Sequence, residues 1–214
     1  MILKCALVDY GAGNVSSVQQ ACWRAGTEAV AVSDPEKLLE AERIIFPGVG
    51  GAPAAMERIR ASGLEEAIKN AVNRKGRPFL GICLGMQLLG QTHEEHGGCS
   101  GLSLLRGKIV SLEKLGGGFR IPHIGWKEIG ILENKAEQNP LLKIPARRRS
   151  FYFAHSFYFQ AECEDIVADC EIAPGIRIPA ALHRGNILAT QFHPEKSQEA
   201  GRLLFQEFLK WNPA

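Results

Sequence analysis

Pro78-Phe-Leu-Gly81-Ile-Cys83-Leu-Gly85-Met-Gln87-Leu-Leu89 starts as an apolar run and ends in good helix formers. A buried strand that turns tightly into a helix fits both halves, with Cys83 at the apex. Such an apex is strained, and the positions two before and two after it must be tiny for strand and helix to approach. Gly81 and Gly85 meet that need. The pattern is the cysteine form of the G-x-S-x-G nucleophile elbow. It exposes the sulfur at a helix N-terminus, where the helix dipole favours a thiolate. A buried structural cysteine between two packing glycines fits the same five residues, because short motifs match by chance.

Upstream, short apolar runs alternate with helical patterns. Ile2–Val8, Glu28–Val32 and Arg43–Pro47 read as strands. Val15, Val18, Ala21, Cys22 and Ala25 form one helix face stopped by Gly26; Pro35 opens a short helix; helices follow near Pro53–Ala61 and Leu64–Lys75. This predicts an α/β fold: an open mixed, mostly parallel sheet flanked by helices, with the elbow at a strand–helix turn. Downstream, Leu104–Leu112, Phe119–Ile121, Gly125–Leu132, Ser150–Gln160, Ile166–Glu171, Ala180–Arg184 and Ile187–Gln191 read as extended segments that prolong the sheet. His183-Arg-Gly185-Asn186 marks a hairpin. Ser197 is placed to N-cap a last helix with Ala200, Leu203, Leu204, Phe208 and Trp211 as its core stripe. No linker, repeat or low-complexity stretch interrupts residues 1–214, which read as a single domain.

Bulk composition excludes several functions. Twenty-five basic against 23 acidic residues leave a formal charge of +2, so nothing marks a nucleic-acid or anionic-membrane surface. Arg147-Arg-Arg149 reads as a solvated loop. The six cysteines show no Cys-x-x-Cys and no zinc-finger spacing, so neither a metal nor a disulfide framework is expected. With no signal peptide and no membrane-spanning run, a soluble chain of the reducing cytoplasm is expected, without cofactor.

A cysteine nucleophile needs a base, and the base needs an orienter. His93 and His96 sit in a polar loop with Glu94 and Glu95 and are expected at the surface. His123, His155 and His183 lie at strand ends. His193 stands in Gln191-Phe-His193-Pro-Glu195-Lys-Ser197, where proline extends the backbone at His193 and Glu195 can meet the imidazole. Cys83, His193 and Glu195 thus supply nucleophile, base and acid, although His-Pro-Glu alone also suits a loop. The Leu84 N–H at the elbow and the Pro47-Gly-Val49-Gly50 loop offer oxyanion donors. A plain turn also fits that loop, and without the Lys-Ser/Thr of a P-loop nucleotide binding is not expected.

Gly81-Ile-Cys83-Leu-Gly85-Met-Gln87 with Phe192-His-Pro-Glu195 resembles the triad-type glutamine amidotransferases. Asp9-Tyr-Gly-Ala-Gly-Asn14, Ile121-Pro-His-Ile-Gly-Trp126, Tyr152-Phe-Ala-His-Ser156 and Phe192–Ser197 narrow the resemblance to glutaminase subunits of imidazole glycerol phosphate synthases. The resemblance implies that Cys83 attacks the amide of glutamine, that His193 shuttles the proton, and that Glu195 holds the imidazole. It implies substrate contacts from Gly50, Gln87 and the backbone near His155 and Ser156, with Val49, Gly50 and Leu84 as the oxyanion hole. The partner it implies is a (β/α)8-barrel synthase subunit receiving the ammonia, faced by Asn14, Trp126 and Lys196. The chain departs from the pattern at Lys127, at Gly51-Ala-Pro-Ala54 and at Arg147–Arg149. These leave open a paralogue that feeds a sugar-modifying synthase, beside a stand-alone cysteine hydrolase.

Overall fold

The computed structural model describes residues 4–132 and 139–213. Its first half alternates as expected: β1 (Cys5–Val8), α1 (Val15–Arg24), β2 (Val30–Val32), α2 (Pro35–Glu40), β3 (Arg43–Gly48), α3 (Ala52–Ala61), α4 (Leu64–Asn73), β4 (Phe79–Cys83) and α5 (Leu84–Gln87). Residues 2 and 3, the expected start of the first strand, lie outside the described residues. Asp34 caps α2 by accepting from the Glu36 N–H at 2.9 Å, with Pro35 in the first helical turn. Helix α4 buries Leu64, Ala67, Ile68, Ala71 and Val72, the one-sided stripe of an amphipathic helix.

The second half contains β5 (Thr92–His93), β6 (Cys99–Ser100), β7 (Gly107–Ser111), β8 (His123–Ile131), β9 (Ser150–His155), β10 (Phe157–Ala161), β11 (Ile166–Ala173), β12 (Ile176–Arg184), β13 (Ile187–Thr190) and α6 (Gln198–Lys210). Three expected extents change. The 104–112 run becomes a strand only at Gly107. Phe119–Ile121 is loop: Gly116, Gly117 and Gly118 precede it at positive φ, and Pro122, which has no N–H to give a ladder, follows. Ser150–Gln160 is two strands that part at Ser156 and join different sheets.

The main sheet has the order β2-β1-β3-β4-β13-β12-β11-β8-β9. Its five strands from β2 to β13 are parallel, and the rest pair antiparallel, so the open mixed sheet expected is present. Four of the parallel strands, β1, β3, β4 and β13, divide their side chains between two cores. Leu7, Ile45, Leu80 and Ile82 pack with Val18, Cys22, Leu204, Phe205 and Phe208, on the side of α1 and α6. Ala6, Val8, Ile44, Phe46 and Phe79 pack with Leu38, Met56, Ile59, Leu64 and Ile68, on the side of α2, α3 and α4. Phe46, Phe79, Phe205 and Phe208 are fully buried, each contributing roughly 1.5–3 kcal/mol. The small sheet β10-β7-β5-β6 is separate rather than a continuation, and its Ile109 and Phe159 seal the second core. Among the described residues no helix is long and apolar enough to cross a membrane.

Candidate active site

Three neighbouring parallel strands deliver the site. Register sets Gly48 of β3 beside Cys83 of β4, and Thr190 of β13 beside Ile82. The 48–51 loop, Cys83 and the 191–195 segment therefore meet at one carboxyl edge of the sheet, where open α/β folds bind ligands. Cys83 has φ 54° and ψ −110°, a strained setting for a residue with a side chain. Gly85 is obligatory for another reason: a Cβ there would overlap the Phe46 carbonyl on β3. The helix after the elbow is a single turn, so the dipole support expected for a thiolate is slight. The sulfur depends on its side-chain neighbours instead.

His193 Nδ1 lies 2.8 Å from Glu195 Oε1, and both side chains are buried. Burial opposes a charge on His193. Hydrogen bonds to Cys83 and Glu195, with the attraction of both, outweigh that cost and raise the imidazole to about 10. The backbone around it is clamped to β9. The His193 N–H donates to the Tyr152 carbonyl at 2.8 Å, and Ser197 Oγ donates to the His193 carbonyl at 2.6 Å while accepting from the Tyr152 N–H at 3.0 Å. Ser197 thus sits at the start of α6, but its hydroxyl clamps the histidine and does not cap the helix as expected. Phe192 stacks on Phe151 at 4.0 Å and fixes the chain just before His193. A Cβ on Gly201 would overlap the Pro194 carbonyl, so α6 packs directly on the turn carrying Glu195.

A cleft of about 310 Å³ opens over the sulfur, in the lower range for small-ligand sites. Val49, Gly50, Cys83, Leu84, Gln87, His155, Ser156 and His193, all expected at the site, line it together with Glu95 and with Lys196, which was expected to face the partner. Glu195 stands behind His193. Trp126 lies outside this cleft, 47% exposed, in a neighbouring hollow with His123, Ile124 and Lys127. Asn14 precedes α1, and Gly13 abuts the Pro47–Gly48 backbone. Lys196 Nζ sits 5.6 Å over the Tyr152 ring, which meets Trp126 edge-on at 6.1 Å. Arg147–Arg149 is a surface turn, with Arg148 paired to Glu199 at 2.9 Å.

Side chains not anticipated from sequence complete the site. His93, expected at the surface, is 2% exposed: its ring meets Gln87 Oε1 at 3.1 Å and the Glu95 N–H at 3.2 Å. Burial lowers it to about 4, so it is neutral. Gln191 is fully buried against Gln87 and Cys83. The Tyr10 hydroxyl is buried without a hydrogen-bond partner, and burial and the nearby Cys83 raise it. Glu95 Oε2 accepts from the Ala52 N–H at 2.7 Å, tying the 93–95 turn to the end of the glycine loop. His155 donates from Nδ1 to the Phe157 carbonyl at 2.8 Å and meets His123 at 3.2 Å; burial lowers it to about 3. Its ring is fully engaged, which leaves the neighbouring backbone for a ligand. Among the described residues no group of three or more His, Cys, Asp and Glu side chains could hold a metal ion.

A strained cysteine beside a carboxylate-held histidine, at the floor of a small cleft, is the equipment of thiol-based acyl transfer. The chain belongs to the class-I glutamine amidotransferases, whose family model matches residues 6–211. Among its relatives is the imidazole glycerol phosphate synthase subunit HisH of Zymomonas mobilis, 40% identical over 212 residues that cover 97% of this chain and 96% of that one. The protein of the same name from Bacillus cereus is 41% identical over 204 residues, 95% of this chain and 92% of that one. The fold is shared with a crystal structure of a glutamine amidotransferase at TM-score 0.70 and 21% identity, over 96% of this chain and 97% of that one. PurLQS from Thermotoga maritima matches equally in fold, at TM-score 0.70 and 21% identity, over 98% and 99%.

Proposed function

We propose that this chain is the glutaminase subunit of an imidazole glycerol phosphate synthase, acting in histidine biosynthesis as one amidotransferase domain. The observation that carries the chemistry is the Cys83–His193–Glu195 array beneath the cleft, with His193 2.8 Å from Glu195. Cys83 gives its proton to His193 and attacks the side-chain carbonyl of glutamine. The Leu84 N–H and those of Val49 and Gly50 receive the oxyanion; one such donor is typically worth about 10²–10³ in rate. His193 then protonates the departing ammonia, leaving a thioester on Cys83. It next takes a proton from water, whose oxygen attacks the thioester and frees glutamate. Glu195 fixes the imidazole and offsets its charge throughout. Gly50, the backbone at His155 and Ser156, and the remaining lone pair of Gln87 Oε1 hold the glutamine.

The ammonia goes to a (β/α)8-barrel synthase subunit. Ile124 at 60% exposure, Trp126, and Val49 at 40% rim the same end of the sheet as the cleft. Exposed apolar side chains grouped beside a site mark a docking surface. Asn14 and Lys196 border it. Ammonia released into water would be protonated and lose its nucleophilicity, so a covered exit serves the reaction.

Cys83→Ala tests the reading in the assembled complex. Glutamine-dependent synthesis should vanish, while synthesis from added ammonium salt should persist. Full glutamine-dependent activity in the variant would overturn the nucleophile assignment. Loss of both activities would show that Cys83 serves the assembly and not ammonia release.

A further inference from the structure

We propose that Gln191 is a positioning residue for Cys83: its side-chain N–H is aimed at Sγ, and that aim is imposed by two backbone groups acting through His93 and Gln87. The proposal rests on the assignment of Cys83 as nucleophile and adds a group that presents the sulfur.

The direction of each bond follows without choice. A backbone N–H only donates, so the Glu95 N–H, 3.2 Å from His93 Nδ1, makes that nitrogen an acceptor. The neutral ring then carries its proton on Nε2, which donates to Gln87 Oε1 at 3.1 Å. Gln87 Nε2 must donate, and it does so twice, to the Phe157 carbonyl at 3.0 Å and to Gln191 Oε1 at 3.0 Å. The Phe157 carbonyl only accepts, so it enforces the same amide orientation from the other end. With its oxygen so engaged, Gln191 turns Nε2 to Cys83 Sγ at 3.8 Å. Two fixed backbone groups thereby remove the flip that leaves most glutamine amides ambiguous. His93, Gln87 and Gln191 are 2%, 5% and 0% exposed, so water does not compete.

An N–H held on sulfur favours the thiolate over the thiol and keeps the sulfur in one rotamer. The other side-chain groups facing it are His193 and Tyr10, which every test variant retains. The one-turn helix adds little, so Gln191 supplies what the elbow alone lacks. The sheet accounts for its location: Gln191 follows Thr190 as Cys83 follows its register partner Ile82.

Gln191→Leu is measured in the assembled complex for glutamine turnover. In the free chain it is measured by the pH dependence of iodoacetamide alkylation at Cys83, read by peptide mass. The kcat should fall about tenfold with KM within twofold, and the alkylation midpoint should rise by about one pH unit, the size of one hydrogen bond to a charged group. His93→Leu, which spares the residue touching sulfur, should shift both in the same direction by a smaller factor. His93→Gln, whose amide N–H can replace Nε2–H, should restore them. An unchanged alkylation profile in Gln191→Leu, with or without loss of kcat, overturns the proposal, since packing alone would not move that midpoint. If Gln191→Leu does not fold, an unshifted His93→Leu profile overturns it equally. Retained glutamine turnover in Cys83→Ala would instead sink the nucleophile assignment and leave the alkylation shift standing.

Discussion

Two buried histidines reach Cys83, and their settings differ in two respects. His193 touches the cysteine and has a carboxylate, Glu195 Oε1, at 2.8 Å. His93 reaches it only through two glutamine amides and has a backbone N–H where His193 has the carboxylate. Burial works against charge on both. The carboxylate and the cysteine overcome it at His193, which rises to about 10. No neighbour offsets it fully at His93, which falls to about 4. A carboxylate on Nδ1 together with direct contact with the cysteine therefore separates His193, the proposed base, which holds a proton, from His93, which stays neutral.

Taking the charge from Glu195 should remove most of what separates the two histidines. Glu195→Gln keeps the shape but presents an amide that can donate to Nδ1 and stabilise the wrong tautomer. The kcat for glutamine should fall by roughly 10³–10⁴, with ammonia-dependent synthesis in the complex retained. Steady-state kinetics on both nitrogen sources provide the check. A loss below tenfold would mean that Cys83 alone holds the charge on His193.

Much of the array proposed to move protons was legible, because each of its two segments carries its members at short, fixed spacing. Histidine and Glu195 are two residues apart, and proline between them predicts the turn. Gly81 and Gly85 bracket Cys83 at fixed spacing. Of the direction-holding side only Gln87 was legible, and as a substrate contact, not as a hold on Gln191. Gln87, His93 and Gln191 come from three segments, and only the β4–β13 register sets Gln191 beside the sulfur. His93 stood in a run of charges that reads as surface. The two-residue strand β5 carries it inside, and nothing in its flanking residues signals so short a strand. The fold divides in the same way. The parallel half is spelled out by runs that alternate between two cores, whereas the break at Ser156 depends on Phe157 finding Ser111 as its partner in the second sheet.

The two histidines act on stability against pH with opposite signs. His193 keeps its proton in the fold to about 10 but near 6.5 when unfolded, so its contribution is complete below pH 6.5 and lost as pH rises to about 10. His93 and His155 stay neutral to about 4 and about 3, so their contribution is lost as pH falls from about 6.5 through those values. Urea midpoints should therefore pass through a maximum near pH 6.5 as far as these groups decide it. Glu195→Gln should flatten the alkaline side and spare the acid side. His93→Gln should reduce the acid slope alone. An alkaline slope unchanged in Glu195→Gln would assign the raised His193 to the cysteine.

The smallest effect is expected where backbone and side chain share the task. Ser197 Oγ is buried between the Tyr152 N–H and the His193 carbonyl. In Ser197→Ala the carbonyl still accepts from the Lys196 N–H at 3.1 Å, so only the Tyr152 N–H is orphaned. One buried unpaired donor costs about 1–3 kcal/mol, and unfolding should register a loss of that order. The kcat should drop only severalfold, because the His193 N–H still grips the Tyr152 carbonyl and Glu195 still holds the ring. The alkylation midpoint of Cys83 should stay where it is, since Gln191, His193, Tyr10 and the Ala154 carbonyl all keep their places around the sulfur. A midpoint that shifts in Ser197→Ala as far as in Gln191→Leu would show that the two sides of the cysteine are mechanically one, and would erase the distinction drawn between them.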